Sequence, residues 1–162
     1  ENNDTWYYEM NEVGYNYRIT DFQCALGSSQ IRKLDEFVQK RREIAKKYNE
    51  AFSNIENLTI PVSNSAVYHA YHLYPLQIDF DNISLTKQEL FEKMKELGIN
   101  LQVHYIPIHM QPFYKKNYGF NFGEYPLSES FYKNEISLPI YHDLSMDDVS
   151  LVADNIVKFI ST

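Results

Sequence analysis

From Leu34 onward the apolar positions recur at spacings of three, four and seven: Leu34, Phe37, Val38, Ala45, Tyr48 and Phe52, with Arg41 on the same line. That is the period of a helix burying one face, and it predicts a long helix here. Upstream, Thr20 stands as an N-cap before Asp21, with Phe22, Ala25 and Leu26 on one helical face, so a first helix is expected to start at Asp21. Gly27, Ser28 and Ser29 weaken it and would let another backbone approach closely. Residues 1–19 carry Trp6, Tyr7, Tyr8, Tyr15 and Tyr17 but follow neither a helical nor a strand period.

After a polar turn at Asn54–Asn57 and a loop at Pro61–Ser65 the period becomes two. His72, Tyr74, Leu76, Ile78 and Phe80 alternate with Leu73, Pro75, Gln77 and Asp79, as in a half-buried strand. Pro75 lacks an N–H, so this strand is expected at a sheet edge or to carry a bulge. Thr86 to Glu89 forms a capping box that opens a helix with Leu90, Phe91, Met94 and Leu97 inward, and Gly98 stops it. Ile99–Tyr105 reads as the next strand. Residues 106–125 read as a long loop rich in aromatics, of the kind that is usually functional. A short helix over 128–134, a strand over 136–138 and a last helix capped by Ser145 follow. That last helix has Val149, Val152, Ala153, Ile156, Val157 and Ile160 as its stripe. The order predicts an α+β fold with a small antiparallel or mixed sheet covered by helices on one face.

The 15 Lys and Arg against 22 Asp and Glu leave a net charge of −7, which argues against duplex nucleic acid or an anionic membrane as the main partner. No run is long and apolar enough for a membrane span. The one cysteine, Cys24, cannot form an internal disulfide. It is expected to face inward beside Ala25 as an inert, buried residue, and a free thiol favours a cytoplasmic protein. Tyr is abundant, 14 of 162 residues; a half-buried polar cleft or interface and a compositional bias both account for it. Five His raise the question of a metal. However, His69 and His72 would point to opposite strand faces, a loop separates His104 from His109, and no known ligand motif accompanies them, so no metal is expected.

No glycine-rich phosphate loop is present. Gly14-Tyr15-Asn16-Tyr17-Arg18 lies just before the helix start at Asp21, where an amide donor, an Arg fork and free helix N–H groups would make an anion cradle. By themselves these residues fit equally a turn at Asn16 and a surface pair of Arg18 with Asp21.

Read whole, the run from Gly14 to Gly27, with Gln30 and Arg41-Arg42, resembles the signature of the DegT/DnrJ/EryC1/StrS family of sugar-nucleotide aminotransferases. Three further blocks in the same order fit it: His69 to Tyr74, Gln102 to His109 and Glu135 to Pro139. The resemblance implies the C-terminal part of a fold type I enzyme dependent on pyridoxal 5′-phosphate and working as a homodimer, with active sites shared across the interface. Residues 1–33 would end the large cofactor domain and 34–162 would form the small domain. The Schiff-base lysine and the residues that hold the cofactor ring would lie upstream, so this chain alone should neither react nor bind the cofactor, and no catalytic residue is assigned to it.

By the same resemblance Asn16 would reach the cofactor phosphate of the other subunit and Arg18 the substrate diphosphate. His104, His109 and Tyr114 would line the sugar-nucleotide cleft. The reaction implied moves an amino group from glutamate to the C4 ketone of a UDP-linked 4-keto-6-deoxy-N-acetylhexosamine. A dehydratase of the same superfamily and a non-catalytic small-domain module are the alternatives. Trp6, Tyr7 and Tyr15 would be left exposed without the large domain.

Overall fold

A computed structural model describes residues 9–64 and 66–161 and divides the chain into two compact units, 1–34 and 35–162. In the first unit, α1 (Asp21–Ile31) is the single helix among the described residues. It starts where the sequence places it: Gln23 N–H donates to Thr20 Oγ1 at 3.3 Å, and Thr20 N–H donates to Gln23 Oε1 at 2.9 Å. The two orphan donors of the first turn are thereby satisfied reciprocally. Cys24 corrects the expectation of burial, since it is exposed and α1 buries no side chain. Its apolar face, with Phe22 79% exposed, has no second element of its own unit to pack against. Tyr15 is exposed as expected; Trp6 and Tyr7 lie outside the described residues.

The second unit is built on α2 (Leu34–Phe52), β1 (Leu58–Thr59), β2 (Tyr74–Ile78), α3 (Lys87–Glu96), α4 (Pro112–Tyr118), α5 (Pro126–Asn134), β3 (Glu135–Leu138) and α6 (Met146–Ile160). The strands form one antiparallel sheet in the order β1-β2-β3. In the β2–β3 register Tyr74 faces Leu138 and Leu76 faces Ile136. These four side chains share the face that meets the helices. Ile44, Ala45, Tyr48 and Phe52 of α2, Leu90 and Met94 of α3, and Val149, Val152, Ala153 and Ile156 of α6 complete one continuous core over that face. Each buried Val, Leu, Ile, Phe or Met side chain among them contributes about 1.5–3 kcal/mol by leaving water. The α3 capping box and the Ser145 cap of α6 match the sequence pattern, with Ser145 Oγ accepting from Asp148 N–H and Gly98 in the left-handed region at φ 76°, but Leu97, expected inward, lies past the end of α3 and is exposed. This is an α+β fold.

Three local expectations are corrected. First, β2 is the central strand and not an edge, despite Pro75. The Ser137 N–H and C=O both pair with Gln102, so Ser137 opposes Pro75 without ladder bonds between them. The proline nitrogen then points toward the β1 side, where β1 reaches only Gln77 and Ile78. Second, Ile99–Tyr105 is not a strand. Gln102 alone bridges to β3, and the next outward-facing donor, His104 N–H, goes to the Glu135 carboxylate instead of a backbone carbonyl. Third, the 106–125 segment is not structureless. Pro112 at the first turn and Gly119 at φ 75° start and stop α4, and a 3₁₀ turn spans Ile108–Met110. His69 and His72 also precede β2 instead of lying in it.

Candidate functional site

β3 presents two faces with different chemistry. Ile136 and Leu138 enter the core, while Glu135 and Ser137 lie on the opposite face and are nonetheless buried, at 0% and 3% exposure. Burial of a carboxylate and a hydroxyl is tolerable only when they are hydrogen-bonded, and the His104 strip supplies the partners. Ser137 Oγ–H donates to Glu135 Oε1, His104 backbone N–H donates to Glu135 Oε2 at 3.0 Å, and His104 Nδ1 lies 2.7 Å from Ser137 Oγ. The ring of His104 is half-buried and meets Tyr105 edge-on at 4.6 Å; the peptide joining the two residues is cis.

Lys87, the first residue of α3, closes the base of this cluster. Its Nζ donates to the carbonyls of Tyr132 at 2.8 Å and Glu135 at 2.6 Å. It thus caps carbonyls at the end of α5 that have no helical partner. Burial lowers the Lys87 pKa, against the opposing pull of Glu135.

A second cluster orders the aromatic segment. His109 is 7% exposed, with Nε2 2.8 Å from Glu129 Oε1, and Glu129 also accepts from Gly123 N–H at 2.9 Å and Tyr125 N–H at 3.4 Å. The His109 ring contacts Tyr125 at 4.7 Å, and the series continues through Phe120 and Tyr118 to Tyr114 with centroid spacings of 5.9, 6.1 and 5.8 Å. His109 and Tyr114 are therefore joined through one aromatic array. They differ in accessibility, for His109 is enclosed while Tyr114 is open to solvent. Beside this clasp, α5 lines a cavity of about 590 Å³ with Met110, Phe122 and Tyr132, which does not include His104.

The clasp should be sensitive to acid. Burial opposes ionisation of Glu129, but the His109 hydrogen bond, the Gly123 and Tyr125 N–H groups and the His109 charge outweigh it, and its pKa falls below the ordinary 4.5. A depressed folded-state pKa contributes stability that is present above the unfolded value and lost as pH falls through the folded one. The protection of the Gly123 amide, its exchange rate taken relative to the intrinsic rate at each pH, is therefore expected to fall below pH 4.5 ahead of the core, and Glu129→Gln should show low protection there already at neutral pH. Uniform protection of Gly123 down to global unfolding would contradict this.

In the first unit, Asn16 Oδ1 accepts from Arg18 N–H at 2.9 Å, which holds Gly14–Arg18 in a turn. Among the described residues the Asn16 amide nitrogen has no partner and Arg18 makes no ion pair with Asp21. An amide donor and a guanidinium remain available to an anion. No group of three His, Cys, Asp or Glu that could hold a metal occurs among the described residues. Sequence reasoning assigned no role to Glu129, Glu135, Ser137 or Lys87. The legible signal was the alternation of Glu135 and Ser137 with Ile136 and Leu138, which gives a strand too apolar on one face to leave its polar face unpartnered.

The chain is similar to known proteins. The chain is 43% identical over 157 residues to the uncharacterized protein MJ1066 of Methanocaldococcus jannaschii, covering 97% of this chain and 41% of that protein. It is 36% identical to the UDP-4-amino-4,6-dideoxy-N-acetyl-beta-L-altrosamine transaminase of Campylobacter jejuni, covering 96% of this chain and 40% of the relative. The solved structure of Helicobacter pylori PseC, an aminotransferase involved in pseudaminic acid biosynthesis, superposes with a TM-score of 0.84 at 30% identity, over 98% of this chain and 42% of that one. The chain thus spans about two fifths of the length of the relatives it matches. Its residues 1–157 fit the sequence profile shared by such enzymes, and the chain belongs to the DegT/DnrJ/EryC1/StrS aminotransferase family.

Proposed function

We propose that this chain is the C-terminal part of a pyridoxal-phosphate-dependent nucleotide-sugar aminotransferase, a homodimer of the cytoplasm. It would transfer the amino group of glutamate to the C4 ketone of a UDP-linked 4-keto-6-deoxy-N-acetylhexosamine. The observation that supports this most is the likeness to the altrosamine transaminase over 96% of the chain. In this reading residues 1–33 close the large domain and 34–162 form the small domain. The residues that anchor the cofactor covalently and hold its ring belong to the portion of the relatives that this chain does not span.

The residues present suit the cofactor's phosphate. The Asn16 amide and the Arg18 guanidinium, without partners among the described residues, are the donor types that bind phosphate and diphosphate. When bound, the cofactor ring supplies an electron sink for proton movement at the carbon that carries the nitrogen. The chain's own work is binding and orientation. Asn16 donates to the phosphate of the other subunit, and Arg18 neutralises the substrate diphosphate. His104 and Tyr114 border the sugar, and His109 holds the aromatic segment through Glu129.

The test compares this chain with the complete gene product. The complete protein is expected to convert the keto sugar to its 4-amino product with glutamate, whereas the 162-residue chain should retain no pyridoxal phosphate absorbance after gel filtration. A product that has lost a hydroxyl instead of gaining an amine would make the enzyme a dehydratase. Stoichiometric cofactor retained by the short chain would refute the division of labour.

A further inference from the structure

The cluster on the polar face of β3 does more than satisfy a buried carboxylate, because it decides which nitrogen of His104 carries a proton. An ionised carboxylate only accepts. Both Glu135 oxygens do so, Oε2 from the His104 backbone N–H and Oε1 from Ser137 Oγ–H. A serine hydroxyl has one proton, and here it is directed at Glu135. Toward the ring, Ser137 Oγ can then offer only a lone pair, and the contact of 2.7 Å to His104 Nδ1 requires that Nδ1 be protonated. In the neutral ring the proton is then absent from Nε2, which has no hydrogen-bond partner among the described residues.

The geometry behind this is rigid. The Ser137 backbone is held by Gln102 through both its C=O and its N–H, with N–H···O distances of 3.2 and 2.8 Å, and Glu135 is completely enclosed. Lys87 fixes the Glu135 carbonyl and places a positive charge beside the carboxylate.

We propose that Glu135 and Ser137 are positioning residues that lock His104 in its Nδ1–H tautomer. Nε2 then presents a lone pair and recognises a hydroxyl or amide N–H of the nucleotide sugar, not its diphosphate. The second half rests on the reading of His104 as a substrate-cleft residue; the first half does not. A neutral Nε2–H ring would donate to phosphate oxygens, and the relay excludes that form. The division of recognition follows: cationic Arg18 serves the diphosphate, and a ring acceptor serves a donor group on the sugar.

Replacing Glu135 by glutamine should reverse the relay. The Gln oxygen must still accept the His104 backbone N–H, so its NH₂ faces Ser137 Oγ and donates to it. The hydroxyl proton then turns to His104 Nδ1, and the neutral ring must carry its proton on Nε2. Ser137→Ala removes the acceptor at Nδ1 without adding bulk and leaves the tautomer unspecified.

Long-range ¹H–¹⁵N correlation spectra of the ¹⁵N-histidine-labelled 162-residue chain, at about two pH units above the ordinary histidine pKa, read the tautomer directly. The expected results are Nδ1–H in the parent, Nε2–H in E135Q and a mixture in Ser137→Ala, with circular dichroism confirming that each variant is folded. An Nε2–H parent overturns the proposal whether or not the variants fold, and so does a folded E135Q that keeps the parent tautomer.

For the recognition half, E135Q in the complete enzyme is expected to raise KM for the nucleotide sugar about tenfold, with a smaller change in kcat. A reversed tautomer with unchanged KM would overturn recognition through Nε2. A complete protein without aminotransferase activity would instead refute the proposed function and leave the tautomer result standing.

Discussion

From about pH 11 the second unit is expected to lose stability at up to about 2.7 kcal/mol per pH unit, because two tyrosines that resist ionisation in the folded state ionise once the chain unfolds. Tyr48 and Tyr74 are fully enclosed, with ring centroids 5.0 Å apart. Tyr48 Oη–H donates to the Pro139 carbonyl at 2.9 Å and Tyr74 Oη–H to Asn49 Oδ1 at 2.7 Å. Burial first, and the neighbouring tyrosines second, raise both pKa values well above the ordinary 10. A raised folded-state pKa gives stability that is whole below the unfolded value and is lost as pH climbs from there toward the folded one. Each such group contributes a slope of about 1.36 kcal/mol per pH unit. Urea unfolding at several pH values above 10 measures the slope. Tyr48→Phe or Tyr74→Phe should each halve it, at a cost of about 1 kcal/mol at neutral pH for the lost hydrogen bond. A slope unchanged in both variants would show that other groups carry the alkaline transition.

Those tyrosines also show how far the sequence reaches. Tyr48 and Tyr74 were both legible as inward residues, because each falls on the apolar line of its element and periodicity reports burial. Periodicity does not report partners across the chain. That Tyr48 reaches Pro139, that Ser137 gives its backbone to Gln102 and that Lys87 caps α5 all depend on tertiary placement of residues far apart in sequence. Pro75 illustrates the same gap from the other side. The missing N–H was read as the mark of an edge strand or a bulge, which holds only if both flanks of the strand are paired along its whole length. Here β1 is two residues long, so a central strand accommodates the proline. Cys24 was misplaced because a pattern of apolar residues on a helix says that a face wants a partner, not that the partner is in the same chain segment.

The candidate site divides along similar lines. Residue type alone left Gly14–Arg18 open between an anion cradle and a plain turn, and a turn is found there, with Arg18 N–H on Asn16 Oδ1. His104 was reached through resemblance alone. Its relay through Ser137 to Glu135 has no signature in spacing, since 31 residues separate His104 from its carboxylate and 33 from its serine. Buried polar residues on an alternating strand are the one hint, and they name the partner type without naming the partner.

In the complete enzyme, Arg18→Ala is expected to raise KM for the nucleotide sugar by about 10- to 100-fold. A charge-assisted contact to the diphosphate is worth roughly 1.5–3 kcal/mol, and each 1.4 kcal/mol is tenfold. The diphosphate takes no part in the chemistry, so its loss of binding should leave the glutamate half-reaction nearly untouched in single-turnover measurements. Asn16→Ala should act on the other partner, weakening cofactor retention and slowing both half-reactions at limiting pyridoxal phosphate. The competing account makes Arg18 a brace for the start of α1 and predicts a lower Tm with an unchanged KM. The structure weighs against it: α1 is already capped by Thr20 and Gln23, and Arg18 forms no ion pair with Asp21 among the described residues. Removing an unpaired surface guanidinium should therefore move stability by no more than about 0.5 kcal/mol. Measuring KM and Tm on the one variant separates the two accounts, and an unchanged KM would remove Arg18 from the diphosphate site.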